Sequence, residues 1–420
     1  LHNLLVSVDH TKKFDGFSVE TLFNYSTGGD GDNDYIQPVV DGKHTEYHVD
    51  RNFGYNSYDM GLETNFDLLK NSSLLIGLEH SIDSEDIRRD RFISNSIDSS
   101  AINDDLGVVN FVNSALYSQI LLQEADDFSL SGNFRYDRNN IYDENVNYRF
   151  AAVWSITDKL YCKLVSGSSY RAPTPEQIYG RAVRPGGVGS SFTRSSDIDL
   201  KPQTALTHEL LLGYDSSNFQ VILNGFYLET TNRIEYVSNL GALLPKNLAD
   251  SKSIGSELTL RFANSDIKKH VKFIGDLYVA GQYTTIEPDQ KYLTDREVDI
   301  LQVNEMYPQL IVGGKLNVDF TKLPMTLLVI GNWISKRNDS QINQTYNRPF
   351  VGDKLHTMPA SLLFDVVISS KPFVLISEKK STVRLIVRDV MDNNRAQPGF
   401  GGYNIPSLGR TVTVSYGQEF

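Results

Sequence analysis

The feature that most constrains the fold is an alternation of apolar and polar residues with a period of two, repeated along almost the whole chain. Every second residue is apolar from Val146 to Ile156, and the pattern recurs from Met60 to Leu68 and from Val412 to Tyr416. A period of two places successive side chains on opposite faces of a β-strand. The sequence therefore predicts an all-β protein. We count about seventeen strands, centred near Leu5, Glu20, Leu62, Ile76, Leu116, Gly132, Phe150, Lys163, Leu210, Asn224, Leu258, Leu277, Val312, Val329, Phe364, Leu385 and Val414.

The connections between the predicted strands alternate between short and long. The short ones lie at His10–Asp15, Lys70–Ser73, Ala125–Asp127, Thr157–Asp158, Asp215–Ser217, Asn264–His270, Thr321–Pro324 and Lys371–Lys380. The long ones lie at Ser26–Tyr55, Ile82–Leu106, Ser169–Gln203, Glu235–Asp250, Ile286–Val303, Lys336–Pro359 and Asn393–Leu408, and one on the same side, Asn139–Asn145, is short. Short periplasmic turns and longer outer loops are typical of a transmembrane antiparallel β-barrel of the outer-membrane type.

The predicted strand length separates this architecture from a soluble β-sandwich. Strands of ~9–11 residues suit a tilted membrane crossing, whereas sandwich strands are nearer ~5–6 residues. A barrel also explains why only 40% of the residues are hydrophobic, since only alternate residues meet lipid. No apolar run approaches the ~18 residues of a transmembrane helix.

Composition excludes several other classes. The net charge of −12 argues against nucleic-acid binding, which needs a basic surface. Cys162 is the single cysteine, which excludes an intramolecular disulfide and a zinc site built from several cysteines. We predict that Cys162, which alternates with Leu160 and Leu164, faces lipid.

Several short motifs, in order along the chain, resemble those of TonB-dependent outer-membrane receptors. The run Gly167–Tyr179, with Tyr170-Arg-Ala-Pro173 at its centre, resembles their Phe/Tyr-Arg-Ala-Pro box. The other matching segments are Tyr117-Ser-Gln119, Asn133-Phe-Arg-Tyr-Asp137, Leu200-Lys-Pro-Gln-Thr204 followed by Glu209-Leu210, Ile254-Gly-Ser-Glu-Leu258, Val387-Arg-Asp-Val-Met-Asp392 and Gly409-Arg-Thr-Val412.

The resemblance implies a barrel of twenty-two strands, an N-terminal plug inside it and a short motif that recruits the energy-transducing partner. Nine predicted strands follow the Tyr170–Pro173 box, so thirteen should precede it, and we find eight. A deficit of five is an odd number, which fits a second observation. The first visible strand would start at the outer face, whereas the first strand of a complete barrel starts in the periplasm, so an odd number of strands should be missing. We therefore expect residues 1–420 to be the barrel domain, incomplete at its N-terminus and without its plug.

The function that the resemblance implies is energised uptake of a scarce ligand, such as a siderophore, cobalamin or an oligosaccharide, across the outer membrane of a Gram-negative bacterium. The expected partners are outer-membrane lipid, a TonB-type complex acting through the plug, a small-molecule ligand and envelope proteins. We expect no enzymatic activity, no cofactor and no nucleic-acid partner. Two alternatives stay open, namely a receptor-like barrel that serves as a scaffold in an envelope complex and a passive channel.

The residues that we predict to contact ligand or plug lie in and after the box, where a strand leaves the membrane. They are Tyr170, Arg171, Glu176 and Tyr179. The structural alternative, which we favour for the box itself, is that it only closes the loop, with proline ending the strand. Phe192 and Tyr346 are further loop aromatics that could stack on a ligand.

Other sites are suggested by spacing but lack a required element. Asp30-Gly-Asp-Asn-Asp34 begins like a calcium loop but lacks glycine at the sixth position. His44 and His48 have helical metal spacing in a segment with no helical pattern. Gly186–Ser191 is glycine-rich with no helix after it, and Glu85–Arg91 is a mixed charge run that we assign to a solvated outer loop. No histidine lies between His80 and His208, which disfavours haem binding.

Overall fold

The computed structural model contains seventeen strands of eight or more residues in the part of the chain that it describes. That part comprises residues 2–29, 35–36, 39–40, 43–44, 47–69, 71–94, 97–98, 108–179, 181–182, 193–194, 199–239, 242–264, 271–288, 307–338, 357–374, 379–393, 395–397 and 404–418. Each of the seventeen predicted strand centres falls inside one of these strands. The all-β prediction and its strand count are therefore confirmed.

The seventeen strands follow one another along the chain with connections of unequal length. The first eight are β1 (His2–Phe14), β2 (Phe17–Gly29), β3 (Tyr47–Leu69), β4 (Ser72–Ser94), β5 (Val108–Ala125), β6 (Phe128–Asn139), β7 (Asp143–Ser155) and β8 (Leu160–Arg171). The other nine are β9 (Gln203–Ser216), β10 (Phe219–Asn239), β11 (Ala242–Asn264), β12 (Val271–Pro288), β13 (Leu310–Phe320), β14 (Met325–Ile334), β15 (Ser361–Ser370), β16 (Lys380–Arg388) and β17 (Thr411–Gln418).

A few minor elements accompany the long strands. Helix α1 spans Pro175–Tyr179. Two-residue strands lie at Tyr35–Ile36, Val39–Val40, Lys43–His44, Ile97–Asp98, Arg181–Ala182, Thr193–Arg194, Arg337–Asn338, Thr357–Met358, Phe373–Val374, Ala396–Gln397 and Ile405–Pro406. None of the described helices is long and apolar enough to cross a membrane.

The chain divides into two compact units. The first comprises Leu1–Ala152, Ser166–Leu206 and Thr230–Ala249, and the second Val153–Val165, Thr207–Glu229 and Asp250–Phe420. In the first unit, β1 to β6 pair in chain order as an antiparallel meander. In the second, β12 to β17 pair in the same manner.

Tight turns join the strands at the ends where short connections are predicted. Asp15-Gly16 joins β1 to β2, and Gly16 has a φ of 80°, a left-handed conformation that glycine adopts without steric cost. Phe14 and Phe17 flank this turn with their rings stacked at 4.6 Å. Phe66 continues the aromatic group, its ring lying 6.0 Å from that of Phe17. Such aromatics are expected at a membrane interface.

The strands are longer than predicted on the side of the long connections. β3 and β4 each have 23 residues, as does β11, whereas ~9–11 residues suffice to cross a bilayer. The predicted loops Ser26–Tyr55, Ile82–Leu106 and Glu235–Asp250 are therefore wrong in part, because much of each continues as paired strand. Beyond the bilayer both strand faces meet water, so the alternation that reveals a strand disappears while the backbone ladder continues.

The two faces of β1 to β6 differ in chemistry as the alternation predicts. We call the face that carries Leu62, Leu78 and Leu116 the apolar face, and these side chains are 43%, 52% and 45% exposed. We call the opposite face, which carries Glu63, Glu79 and Tyr117, the polar face. So much exposed apolar surface on a sheet is expected where the surrounding solvent is lipid.

A matched pair of substitutions tests which face meets lipid. Ile76 lies on the apolar face and is 41% exposed, whereas Gln119 lies on the polar face of the next strand. In lipid vesicles, Ile76→Lys is expected to lower the free energy of unfolding by about 2–4 kcal/mol, because a lysine near the bilayer midplane is not solvated. Gln119→Lys is expected to change it by less than about 1 kcal/mol. Equal costs in urea titrations would contradict the assignment.

Candidate functional site

Strands β3 to β6 bring charged and aromatic residues together on the polar face. Glu63 pairs with Gly77, Gly77 with Tyr117, and Tyr117 with Arg135. The next row, two residues further from the short turns, consists of Gly61, Glu79, Ala115 and Asp137. Cross-strand neighbours on one face have Cβ atoms ~5 Å apart, so this register assembles one connected group. We call Glu63, Glu79, Tyr117, Arg135 and Asp137 the polar-face cluster.

Tyr117 reaches across two strands because Gly77 leaves room for its ring. A Cβ atom at Gly77 would lie 2.2 Å from the Tyr117 Cζ atom, so a side chain there would overlap the ring. The Tyr117 hydroxyl donates a hydrogen bond of 2.5 Å to the Glu63 carboxylate. The glycine is therefore required by the close approach of the ring.

Arg135 is held by contacts on three sides. Its guanidinium lies 5.4 Å from the centre of the Tyr117 ring, a cation–π geometry. It also donates to Glu79 at 3.0 Å and to Asp137 at 2.9 Å. Asn113 adds a hydrogen bond of 3.2 Å to Asp137, whose side chain is only 2% exposed. Because a buried carboxylate needs partners to stay charged, Arg135 and Asp137 form one unit.

The cluster continues into an acidic region further from the short turns. From the level of Glu63 outwards to that of Glu85, the carboxylates on this face of β3, β4 and β6 are Asp59, Glu63, Glu79, Asp83, Glu85 and Asp137. Asp83 accepts a hydrogen bond from the Ser57 hydroxyl. Burial, followed by the negative charge of Asp83, raises the pKa of Glu85, which lies beyond the ~9–11 residues that cross a bilayer. The polar face of β3, β4 and β6 is therefore acidic from the level of Glu63 to that of Glu85, and we call this part of it the wall. It would favour cationic or neutral polar groups on a bound molecule.

The Tyr170–Pro173 box contains the last two residues of β8 and leads into helix α1. Thr174 and Gln177 form a reciprocal capping pair, since the Thr174 hydroxyl accepts from the Gln177 amide at 3.2 Å and the Gln177 side chain accepts from the Thr174 amide at 3.0 Å. Pro175 stands at the first helical position, where its missing N–H costs nothing. Pro173 is buried. These contacts favour the structural alternative, and the role of the box itself stays a prediction.

The predicted contact residues occupy different surroundings. Tyr170 is half-buried and within electrostatic range of Asp137, whereas the Arg171 side chain is exposed. Tyr179 packs edge-on against Phe111 of β5, with ring centres 6.1 Å apart and planes at 73°. Glu176 lies in α1, but its side chain falls outside the described part of the chain, as do Phe192 and Tyr346. The structure therefore brings Tyr170 to the polar-face cluster and anchors Tyr179 on β5.

Tyr142 joins the same neighbourhood from the turn between β6 and β7. Burial, with smaller contributions from the carboxylates of Asp83 and Asp137, raises the pKa of its hydroxyl. This places a neutral phenol beside Tyr170, whose electrostatic environment includes Tyr142. Tyr142 and Tyr170 therefore lie within electrostatic range of each other and of Asp137.

The other sites suggested by spacing have fewer observations. Asp30–Asp34 lies outside the described residues, as do Gly186–Ser191 and the side chains of His44 and His48. Cys162 is a free thiol of intermediate exposure. Among the described residues no group of three histidine, cysteine, aspartate or glutamate side chains could hold a metal ion.

The Leu200–Thr204 motif is held by one asparagine. The Asn247 side chain accepts a hydrogen bond of 2.8 Å from the Lys201 amide and donates to the Lys201 carbonyl at 3.0 Å. It also donates to the carbonyl of Asn232 at 2.7 Å. Leu200 is buried, as are the neighbouring Leu248 and Ala249. These hydrogen bonds therefore connect the segment before β9 to strands β10 and β11.

The Val387–Asp392 motif builds a turn at the end of β16. Asp389 and Asp392 have φ angles of 49° and 54°, which short polar side chains tolerate better than others. The Asp389 amide donates to the Asp365 carboxylate at 2.8 Å. Asp392 accepts from the Arg410 amide at 2.9 Å and lies 3.5 Å from the Arg410 guanidinium. These contacts connect the turn of the Val387–Asp392 motif to the Gly409–Val412 segment.

The second unit carries its own ionic group on strands β11 to β13. Asp276 lies 2.7 Å from Arg261 and 3.2 Å from Lys315. Two strand positions further on, the Tyr278 ring covers Gly313 in the way that Tyr117 covers Gly77. In both units, a glycine on the neighbouring strand therefore leaves room for a tyrosine ring.

Sequence patterns did not reveal the polar-face cluster. Tyr117, Arg135 and Asp137 belong to motifs that served only to establish the resemblance. The spacing of Arg135 and Asp137, two residues apart on one strand, was a usable signal for a shared face. The partners Glu63 and Glu79 depend on strand register, which the sequence pattern alone does not reveal.

Comparison with known proteins agrees with these observations. A family model described as "TonB dependent receptor-like, beta-barrel" matches residues 2–373. The vitamin B12 transporter BtuB of Photobacterium profundum is 24% identical over 166 residues, which are 38% of this chain and 25% of that protein.

Solved structures share the fold at low sequence identity. The outer membrane transporter YddB of Escherichia coli has a TM-score of 0.66 and 14% identity, with 100% of this chain and 62% of that chain covered. A variant of the ferric enterobactin receptor PfeA of Pseudomonas aeruginosa has a TM-score of 0.64 and 16% identity, with 99% and 61% covered. The chain thus spans about a quarter of the curated relative and three-fifths of these solved chains. The predicted fold class is confirmed.

A double-mutant cycle tests the approach of Tyr117 to Gly77. Gly77→Ala is expected to lower the free energy of unfolding by about 1–3 kcal/mol, because the new methyl group overlaps the ring. In the Tyr117→Ala background the same substitution is expected to cost less than about 0.5 kcal/mol. Gly225→Ala is the control, since nothing lies within 4 Å of a Cβ there. Additive effects in urea titrations would contradict the overlap.

Proposed function

The chain belongs to the TonB-dependent receptor β-barrel family, and from that premise we propose that it is the wall of an outer-membrane receptor for energised uptake of a scarce ligand. The family's barrels lie in the outer membrane of Gram-negative bacteria and serve as receptors and transporters. The observation that carries the proposal is the polar-face cluster on β3 to β6, with Tyr170 within electrostatic range of its Asp137, Arg135 and Glu79. A wall of satisfied ionic and phenolic groups suits a solvated passage and would be costly against lipid.

The ligand classes proposed are siderophores, cobalamin and oligosaccharides. The BtuB relative makes cobalamin the first to test, and the ferric enterobactin receptor makes a ferric siderophore the second. The acidic carboxylates of β3, β4 and β6 favour a ligand that presents neutral or cationic groups to this side of the wall, because like charges repel. The neutral amide groups on the periphery of cobalamin fit that wall.

The energy source proposed is a TonB-type complex acting through a plug. The predicted twenty-two-strand barrel and the plug stay predictions, as do the scaffold and channel alternatives. The contact residues proposed are Tyr170, Arg171, Glu176 and Tyr179, at or beyond the outer end of β8. Arg171 is the most informative of them, since its exposed side chain can be changed without disturbing packing.

Uptake by cells tests the proposed function. The full-length gene is expressed in a strain that lacks its own receptors, and accumulation of labelled cyanocobalamin and of ferric enterobactin is measured. Uptake of one ligand is expected, and it is expected to fall to background when the TonB complex is deleted. Uptake that persists in the deletion strain would indicate a passive channel. Absence of both uptake and conductance in planar bilayers would indicate a scaffold.

Binding to the purified protein tests the proposed contact residues. For the ligand that cells take up, Arg171→Gln is expected to raise the dissociation constant about tenfold, since one charge-assisted hydrogen bond is lost. The melting temperature is expected to stay unchanged. Lys159→Gln, which removes the same charge at the short turn between β7 and β8, is the control. Unchanged affinity in Arg171→Gln would leave the box with its loop-closing role alone.

A further inference from the structure

One row on the apolar face of β3 to β6 is polar where its neighbours are apolar. Met60 pairs with His80, His80 with Ser114, and Ser114 with Arg138. The row nearer the short turns consists of Leu62, Leu78, Leu116 and Tyr136. Both rows line a groove of about 480 Å³. The groove therefore has a basic upper edge and an apolar lower edge.

Strand geometry puts the polar row near the outer limit of the apolar band that meets lipid. Strands rise ~3.3 Å per residue, and a tilt of ~40° reduces this to ~2.5 Å along the bilayer normal. The eight residues from Leu68, beside the short turn, to Met60 then span ~20 Å of an apolar band that is ~25 Å tall. Tyr58, one row above Met60, and Tyr25 bring their rings to 4.9 Å from each other there, as in an interfacial aromatic girdle.

The charge distribution marks the same boundary. Between the levels of Leu68 and Met60, the apolar face of β3 to β6 carries no aspartate, glutamate, lysine or arginine. Arg138 is the first full charge on this face above the short turns, and its side chain is exposed. An exposed cation at the edge of an apolar band is complementary to the anionic headgroup of a lipid.

His80 and Ser114 supply further hydrogen-bonding groups in the row. His80 Nδ1 and Ser114 Oγ are 2.9 Å apart, so the ring is oriented and Nε2 has no other partner among the described residues. The Tyr136 hydroxyl lies within electrostatic range of both Glu144 and Arg138. The negative charge of Glu144 would therefore repel an anion bound near Arg138.

We propose that this groove binds one phosphorylated lipid of the outer leaflet. Arg138 holds the phosphate, with His80 and Ser114 beside it, and an acyl chain lies along Leu78 and Leu116. The occupant follows from the height of the row, its charge and the apolar surface directly below it. The proposal rests on the placement in the outer membrane but not on uptake of any ligand through the wall.

Native mass spectrometry of the full-length protein in non-ionic detergent tests the proposal. The probe is dioctanoyl phosphatidic acid, compared with dioctanoyl phosphatidylcholine and with inorganic phosphate. One phosphatidic acid is expected to bind, and Arg138→Gln is expected to weaken it about tenfold through loss of a charge-assisted contact. Glu144→Gln is expected to strengthen it, because a like charge is removed. Lys159→Gln is the matched control and is expected to bind as the unaltered protein does.

Three results would overturn the proposal. Equal binding of phosphatidylcholine, whose phosphodiester headgroup has no net charge, would mean that the net negative charge of the lipid is not recognised. Equal binding of inorganic phosphate would identify a free-anion site. Unchanged affinity in Arg138→Gln would remove the cation from the site. Arg138→Lys keeps the charge and separates loss of binding from loss of folding, since it is expected to retain affinity within about threefold. Uptake is not measured, so failure here leaves the transport proposal standing.

Discussion

The hydrogen-bonded ladder between neighbouring strands is the constraint on which the rest of the structure depends. In hydrocarbon an unpaired backbone amide or carbonyl costs several kcal/mol, since no water replaces the missing partner. Pairing every strand with the next satisfies these groups and fixes the register. Register then decides which side chains become neighbours, as it does for Tyr117 and Arg135 on one face and for His80 and Ser114 on the other.

The same pairing of strands produces two faces that are stabilised in different ways. On the apolar face, stabilisation comes from side chains such as Leu78 that partition into lipid. On the polar face, it comes from ionic and aromatic contacts that stay satisfied, with Asp137 buried against Arg135 and Asn113. Away from the short turns, Asn247 donates to the Lys201 carbonyl and the Asp389 carboxylate accepts from the Asn393 amide, and these hydrogen bonds hold the segments that leave the strands. The Leu200–Thr204 and Val387–Asp392 motifs therefore have structural contacts within the protein.

Much of the fold could be predicted from the sequence, because alternation is a direct consequence of a strand with two different solvents. The prediction failed where both faces meet the same solvent. The charge pattern of Glu85–Arg91 predicts a solvated loop, yet the segment lies in β4 and pairs with β3. The site was harder, because Glu79 and Arg135 are far apart in sequence and meet only through register. No sequence pattern marks Gly77 as a required glycine, because the requirement comes from the Tyr117 ring on the neighbouring strand.

The most direct test of the account is a measurement of which side chains meet lipid. Single cysteines from Leu116 to Leu121, introduced in a Cys162→Ser background, are spin-labelled in vesicles and exposed to oxygen or to a water-soluble nickel complex. The account expects a period of two, with oxygen accessibility high at even positions and nickel accessibility high at odd ones. Accessibility without alternation, or with the opposite phase, would contradict the assignment of the two faces and with it the proposed transport wall.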